Sequence, residues 1–425
     1  MKRVLTALLL SLSAIAANAQ SETEQRIVSN RKNDPSQENK PYVILISADG
    51  FRWDYAEKYH AKNLLALSAE GVKAESMIPS FPSVTFPNHY TLVTGLYPSH
   101  HGLVNNSYYD RGRNDFYSMG AKAKVADGTR YGGTPLWVLA EQQHMLAASF
   151  YWVASEADIK GTRPTYYYVY NEKIGIKERI QTVQDWLNLP AEKRPHMITF
   201  YFPEVDHAGH SFGPDARETA QAVEFVDNAV GDMVKAVKET GLNVNFVFVA
   251  DHGMTRIASE HPLDIPEAVD TSKFTISGDA TLVGIYAKPG ANVDETYKIL
   301  KNDADQSKHY KVYLSKDVPE YLHYNKTDDR FNRIGDIVLI PNWPQVFIFK
   351  KGGRLPVATH GYDPAQVKDM HAVFMAWGPA FKKHLTVPAF PNVDIFPMVA
   401  DILELKIIEP VDGTQELADE VLVKP

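Results

Sequence analysis

The stretch PYVILISADGF, residues 41–51, is a nearly continuous apolar run that closes with Asp-Gly-Phe. Such a run is typical of a buried parallel strand with an acidic residue at its carboxyl end. Similar apolar runs recur with helical patterns between them, at 145–153, 196–202, 243–254 and 370–381. The alternation predicts an α/β fold with a mainly parallel central sheet flanked by helices on both faces. It stops between about 256 and 355, where short strands and one helix predict a small α+β insertion.

Composition limits the function classes. The chain has 425 residues, of which 44% are hydrophobic and 23% charged, which is ordinary for a globular protein. Its net charge of -8 argues against a general nucleic-acid-binding protein, which would normally be basic. A small anionic substrate remains compatible with this charge, because a local site can be positive while the surface is not.

The first 19 residues predict a secretory signal peptide, with two basic residues, an apolar core and the small-residue sequence Ala17-Asn18-Ala19. Residues 20–40 are polar and predict a disordered tether before a catalytic domain over 41–425. No later run is long and apolar enough to span a bilayer. We therefore expect an exported protein. The absence of cysteine favours the bacterial periplasm, and secretion stays open.

The stretch ESMIPSFPSVTFPNHYTLVTGLYPSHHG, residues 75–102, holds a threonine in an unusual setting. Thr85 lies at or just before a helix-like run, and Pro87 suits the first position of that helix. A helix N-terminus favours anions, so the Thr85 hydroxyl could attack phosphorus or carry a phosphoryl group. The alternative is that Thr85 only caps the helix.

Acidic residues and histidines follow the predicted strands at spacings that suit metal ligands. Carboxylate oxygens and imidazole nitrogens are ligands suited to zinc. Six such side chains could serve two metal ions: Asp49, Asp206, His210, Asp251, His252 and His360. The spacings leave open which ligand serves which ion. The other histidines near the motifs are interpreted as structural or as supporting the ligands: His89, His100, His101, His207 and His261.

Six motifs of the chain are VILISADGF, SFPSVTFPNHYTLVTGLYPSHHG, NNSYYD, PEVDHAGHSFGP, VADHGM and HGYDP. Taken together, they resemble the nucleotide pyrophosphatase/phosphodiesterase family of the alkaline phosphatase superfamily. The resemblance is to a bacterial member that consists of the catalytic domain alone. It implies an alkaline-phosphatase-like fold and two zinc ions per chain. One ion would be held by Asp206, His210 and His360. The other would be held by Asp49, Asp251, His252 and Thr85.

The resemblance also implies roles in catalysis. Thr85 would be the nucleophile of a two-step reaction with a covalent phosphothreonine-type intermediate. Asn106 and the Thr85 backbone N–H would donate hydrogen bonds to a phosphate oxygen. Phe86 and Tyr170 would sandwich a nucleotide base, with Trp152 and Tyr201 in the same pocket. Lys124 aligns with a lysine that meets terminal phosphates in some relatives.

The expected function is hydrolysis of nucleotides or nucleotide phosphodiesters to nucleoside 5′-monophosphates. A choline-type lipid-headgroup phosphodiesterase is the first alternative, because aromatic and acidic side chains can bind a quaternary ammonium group. A phosphate monoesterase is the second, and a metal-bearing binding protein is the non-enzymatic alternative. The expected partner is a small-molecule substrate, and the oligomeric state stays open.

Overall fold

The structure is a computed structural model that describes residues 23–350, 352 and 355–423. Among these residues, nine strands form one central sheet. In chain order they are Arg26–Ile27, Tyr42–Ala48, Val72–Ala74, Ala147–Phe150, Tyr166–Tyr167, Met197–Phe202, Val244–Val249, Phe374–Trp377 and Leu385–Val387.

The central sheet is mainly parallel, as predicted. Across the sheet the strands begin at residues 26, 166, 147, 197, 42, 244, 374, 72 and 385. The first strand, Arg26–Ile27, and the strand Phe374–Trp377 run antiparallel to their neighbours, and the other seven share one direction. Tyr42–Ala48 is buried at every position between two parallel neighbours, which explains its continuous apolar sequence.

Helices pack on the sheet, and their apolar residues complete one large core. The longest, Arg217–Glu239, contacts three other helices and buries one side of its surface. The α-helices of the described chain are Tyr55–Lys58, Lys62–Ala69, Thr85–Thr94, Pro98–His101, Lys122–Val125, Leu136–Gln142, Ile176–Leu187, Glu204–Phe212, Arg217–Glu239, Val293–Ser307, Ile395–Ile402 and Glu416–Val421.

A second sheet lies within the segment predicted as an insertion. It has the strands Phe274–Asp279, Leu282–Ala287, Tyr310–Leu314 and Ile337–Pro341, all antiparallel to their neighbours, and the helix Val293–Ser307 packs on it. Most of its buried apolar residues form a separate cluster, while Leu282, Val338 and Ile340 join the main core. This is the small α+β unit that the sequence predicted. Shorter two-stranded ladders join Met77–Ile78 to Phe390–Pro391, Ser107–Asp110 to Asp115–Ser118, Thr255–Arg256 to Ala358–Thr359, and Leu263–Asp264 to Phe347–Ile348.

The prediction of a disordered tether over 20–40 is wrong for residues 23–40. Arg26–Ile27 pairs with Tyr166–Tyr167 and covers an edge of the sheet. Asn33 is fully buried, where its amide group donates to the carbonyls of Ala191 and Arg194 and accepts from the N–H of Leu146. A polar sequence can be ordered in this way when its side chains replace water as partners of backbone groups.

The predicted signal peptide lies outside the described residues. Within the described part of the chain, each helix is too short or too polar to cross a bilayer.

Candidate active site

Three aspartates meet at the carboxyl ends of three adjacent parallel strands. Asp49 follows Tyr42–Ala48, and Asp251 comes two residues after Val244–Val249. Asp206 lies in the first turn of the helix Glu204–Phe212, which follows the strand Met197–Phe202. Parallel neighbours bring these ends to one edge of the sheet, where open α/β sheets bind their ligands.

The three carboxylates are buried and incompletely paired. Asp49 Oδ1 and Asp206 Oδ1 have no hydrogen-bond partner among the described atoms, and Asp251 Oδ2 is approached only by imidazole nitrogens of His252 and His89. Burial, together with the neighbouring Asp251 and Asp206, raises the pKa of Asp49 well above its usual value. Burial also acts to raise the pKa of Asp251, but His252 and His89 outweigh it and hold this pKa well below the usual value. Buried carboxylate oxygens without partners are costly unless a cation offsets them.

One group of ligand atoms comprises Asp206, His210 and His360. The Nε2 atoms of the two histidines are 3.1 Å apart, and they lie 3.4 Å and 3.6 Å from Asp206 Oδ1. Ligands about 2.0–2.1 Å from a tetrahedral zinc ion would be about 3.3–3.4 Å apart, so these distances fit zinc. Each Nδ1–H donates to a carbonyl, of Ala358 or Ser83, which directs both Nε2 atoms into the group.

A second group surrounds Thr85. His252 Nε2 lies 3.2 Å from Thr85 Oγ1, 2.9 Å from Asp251 Oδ2 and 3.4 Å from Asp49 Oδ1. The Nδ1–H of His252 donates to the carbonyl of Gly253 at 2.9 Å, which leaves Nε2 for a metal ion. These residues also fit a zinc site by the chemistry of their donor atoms.

The two groups adjoin. The rings of His252 and His360 stack with their centroids 3.5 Å apart. Ligand atoms of Asp206, His252 and His360 all lie within 4.8 Å of one another, and so do those of Asp49, His89 and Asp251. Because His252 is close to both groups, these distances do not assign it to one metal ion. Its place in the second group stays a prediction.

His89 supports the site through hydrogen bonds. Its Nε2 is 2.9 Å from Ser47 Oγ, while its Nδ1 is 3.0 Å from the carbonyl oxygen of Thr85 and 3.2 Å from Asp251 Oδ2. Both ring nitrogens are thus occupied by protein groups. This agrees with the interpretation of His89 as a residue that supports the ligands.

Thr85 is the first residue of the helix Thr85–Thr94, and Pro87 is its third residue rather than its first. The backbone N–H of Phe86 donates to the side-chain oxygen of Asn106 at 2.8 Å. This bond orients the Asn106 amide so that its Nδ2 is the side-chain donor still available.

A cavity of about 380 Å³ opens beside Thr85, and we call it the aromatic cavity. Thr85, Asp49 and Asp206 line one part of it. Aromatic rings line much of the rest, including Phe86, Tyr151, Trp152, Tyr168, Tyr170 and Tyr201. Lys122 lines the cavity as well. Lys124, which the sequence singled out, instead bonds to Asp115 and to the carbonyl of Phe116.

Residues 43–363 match the protein family described as type I phosphodiesterase / nucleotide pyrophosphatase. The chain belongs to this family.

Relatives in the family cover nearly all of this chain. A venom phosphodiesterase of Macrovipera lebetinus is 35% identical over 403 residues, which are 92% of this chain and 46% of the relative. A pyrophosphatase/phosphodiesterase of Schizosaccharomyces pombe, itself uncharacterised, is 34% identical over 390 residues, 88% of this chain and 79% of the relative. The chain thus spans about half the length of the venom relative.

Solved structures of the family show the same fold. An inactive threonine-to-alanine variant of murine ectonucleotide pyrophosphatase/phosphodiesterase 5, in complex with AMP, superposes with a TM-score of 0.82. It is 29% identical in sequence, and the match covers 90% of this chain and 100% of that one. The similarity confirms the alkaline-phosphatase-like α/β fold that the motifs implied.

Within this family fold, two of the predicted pocket residues also position site residues. The Tyr201 hydroxyl donates to Asp49 Oδ2 at 2.6 Å, and the Trp152 indole N–H donates to the carbonyl of His89 at 2.9 Å. Phe86 and Tyr170 line the aromatic cavity without bonding to a metal-ligand candidate, and Tyr170 is 39% exposed. That they stack on a base stays a prediction.

Sequence reasoning missed three polar side chains in the aromatic cavity. Glu172 and Lys122 line it and were not singled out. His207 was interpreted as structural or supporting, yet its side chain is 55% exposed and faces the cavity. Glu172 lies two residues from Tyr170, and His207 directly follows Asp206. Their proximity to site residues in the sequence was the signal that could have identified them.

Proposed function

We propose that this chain is an exported, zinc-dependent phosphodiesterase and pyrophosphatase. It hydrolyses nucleotides or nucleotide phosphodiesters to nucleoside 5′-monophosphates. One observation carries the proposal. The Thr85 hydroxyl lies 3.2 Å from His252 Nε2, beside three buried carboxylates and at the end of a cavity lined by aromatic rings.

Seven side chains would hold two zinc ions. The first set is Asp206, His210 and His360, and the second is Asp49, Asp251, His252 and Thr85. When bound, the ions would lower the pKa of a coordinated hydroxyl group and offset the negative charge of a phosphate. The unpartnered oxygens of Asp49 and Asp206 support this assignment.

The residues of the chain perform a two-step substitution at phosphorus. In the first step the Thr85 hydroxyl loses its proton to solvent, and Oγ1 forms a bond to phosphorus while the bond to the leaving group breaks. In the second step water breaks the bond between phosphorus and Thr85, which releases the nucleoside monophosphate and restores the hydroxyl. The inactive threonine-to-alanine variant of the murine relative supports an essential threonine.

Asn106 and the start of the helix would stabilise the charge that develops on phosphate. Because Asn106 Oδ1 accepts from the Phe86 N–H, its Nδ2 group is free to donate to a phosphate oxygen. The Thr85 N–H is one of the first-turn donors that have no partner inside the helix. Two such fixed donors would act as an oxyanion hole does.

The nucleotide class rests on the aromatic cavity. Phe86 and Tyr170 present rings that can stack on a base, and the AMP bound to the murine relative supports a nucleoside monophosphate as ligand. Residues 1–19 support export, with the periplasm favoured.

A choline-type headgroup phosphodiesterase is the second candidate. The aromatic cavity includes two carboxylates, of Glu156 and Glu172, among its rings. Aromatic faces and acids together can bind a quaternary ammonium group. This candidate keeps the metal chemistry and differs only in the group that fills the cavity.

The test compares three p-nitrophenyl substrates, which carry thymidine 5′-phosphate, phosphate or phosphocholine, with zinc-loaded protein. We expect the first to react fastest. Thr85→Ala should abolish its hydrolysis with zinc content retained, while Thr85→Ser, which restores a hydroxyl, should recover part of it. Faster hydrolysis of the choline ester would establish the second candidate. Faster hydrolysis of p-nitrophenyl phosphate would make the chain a monoesterase.

A further inference from the structure

Glu172 and His207 lie beside each other in the lining of the aromatic cavity. Both line it, and each side chain is 55% exposed. Glu172 Oε2 and His207 Nδ1 are 3.9 Å apart. This separation exceeds the reach of a direct hydrogen bond, which is about 2.7–3.2 Å between heavy atoms. Both groups therefore keep hydrogen-bonding capacity for a molecule in the cavity.

The pair shares the aromatic cavity with Thr85 and with Tyr170. His207 directly follows Asp206 in the helix Glu204–Phe212, and Asp206 lines the same part of the cavity as Thr85. Glu172 is two residues from Tyr170 and bonded to it, because the Tyr170 hydroxyl donates to Glu172 Oε1 at 2.9 Å. In a nucleotide, the sugar joins the phosphate to the base. A nucleotide with its phosphate at Thr85 and its base against Tyr170 would bring its sugar to this pair.

The chemistry of the pair matches a sugar hydroxyl. The bond from Tyr170 fixes the Glu172 carboxylate through one oxygen and leaves Oε2 as an acceptor. An imidazole can donate or accept, according to its tautomer. A hydroxyl group both donates and accepts, so one hydroxyl, or two on adjacent carbons, can bond to both side chains. A deoxy sugar would leave one or both of these partners without a bond.

We propose that Glu172 and His207 bind the sugar hydroxyls of the substrate and give the enzyme a preference for ribonucleotides over deoxyribonucleotides. This inference rests on the proposed function and specifies the substrate class of the same site. Hydrogen bonds at half-exposed side chains contribute modestly, so we expect a preference of about tenfold in kcat/KM.

The experiment measures kcat/KM of the zinc-loaded enzyme for ATP, 2′-deoxy-ATP and 3′-deoxy-ATP, with the monophosphate product quantified by chromatography. At least one deoxy analogue should react about tenfold more slowly than ATP. Glu172→Ala and His207→Ala should each bring the ratio towards one, mainly by slowing ATP. Zinc content is measured in each variant, because His207 adjoins Asp206.

Two control variants separate the alternatives. Tyr170→Phe keeps the ring and removes only the hydroxyl that fixes Glu172, so the ribonucleotide preference should decrease but not disappear, whereas Glu172→Ala should remove it. Glu224→Gln changes an exposed carboxylate outside the aromatic cavity and should leave every rate unchanged.

The outcomes distinguish this inference from the proposed function. Equal rates within twofold for all three nucleotides in the wild type would overturn the sugar contact while upholding the nucleotide pyrophosphatase. An equal loss on all three in Glu172→Ala would also overturn it, because Glu172 would then act only by holding Tyr170. Absence of hydrolysis of ATP and of the thymidine ester would instead refute the proposed function.

Discussion

Replacing Asp49 by asparagine should stabilise the metal-free protein and destabilise the zinc-bound one. Without metal, the carboxylates of Asp49 and Asp251 are buried with ligand atoms within 4.8 Å of each other. Two like charges at that distance repel by about 3 kcal/mol at an effective dielectric constant of about 20. A proton on Asp49 relieves this repulsion, as its raised pKa indicates, but taking up that proton near neutral pH itself lowers the free energy of unfolding. The positive charge that His252 can carry offsets part of this repulsion, because Asp251 raises the pKa of His252 against the effect of burial.

Asparagine keeps the one strong bond that Asp49 makes. Its side-chain oxygen can accept from the Tyr201 hydroxyl, and its amide can donate toward Asp251. We therefore expect Asp49→Asn to raise the free energy of unfolding by about 1–3 kcal/mol when a chelator is present. With saturating zinc the order should reverse, because a ligand that binds only the folded state stabilises it and the variant has lost a charged ligand.

The assay is urea unfolding followed by tryptophan fluorescence, in EDTA and in excess zinc. Asp232→Asn, whose side chain is 65% exposed, is the matched control and should change neither result. If Asp49→Asn unfolds at lower urea than the wild type in EDTA, the three carboxylates are not an electrostatic liability without metal, and the argument for a metal site from their unpaired oxygens fails.

Three further predictions follow from single side chains. Tyr201→Phe removes the 2.6 Å hydrogen bond to Asp49 and should weaken zinc binding about tenfold or more. A competition titration with a chelator measures this affinity, and an unchanged value would contradict the role of Tyr201 in positioning Asp49. Asn33→Ala leaves buried backbone groups unpaired and should lower the free energy of unfolding by about 2–4 kcal/mol, whereas a negligible change would indicate that the N-terminal segment is not ordered in solution. Burial lowers the pKa of His101 to about 3. Between this pH and about 6.5, His101 is therefore protonated in the unfolded chain but neutral in the folded one. Stability should fall as the pH drops from about 6.5 towards 3, and His101→Gln should flatten this slope in urea unfolding at several pH values.

The sequence was sufficient for the fold and for the acidic ligand candidates, because both depend on local patterns. A buried strand that ends in an acid predicts where that acid lies in a parallel sheet, and Asp49, Asp206 and Asp251 follow neighbouring strands. The order of residues 23–40 could not be predicted, because it depends on backbone groups near residues 146 and 191–194 that bond to Asn33.

Contacts between side chains that are distant in sequence could not be predicted either. Nothing local in the sequence indicates that Ser47 occupies one nitrogen of His89, or that Lys124 is bound to Asp115 while Lys122 lines the cavity. Nor does the spacing of Glu172 and His207 along the chain indicate that their side chains come within 3.9 Å of each other in the aromatic cavity. Such relations depend on tertiary packing, which sequence periodicity does not encode.

The start of the helix Thr85–Thr94 bears on the two interpretations of Thr85, as a reactive hydroxyl or as a helix cap. An N-cap side chain normally bonds to the N–H of the second or third helical residue. For Thr85 as the N-cap these residues would be Pro87, which has no N–H, and Asn88, whose N–H donates to the carbonyl of Val84 instead. The N–H of Phe86 is bound by Asn106. The residue before the helix is Val84, whose side chain cannot cap it. The hydroxyl of Thr85 therefore has no role in starting the helix, and its contact at 3.2 Å is with His252. Because Asn106 caps the helix from another segment, the helix can begin at this position while the threonine hydroxyl faces the carboxylates.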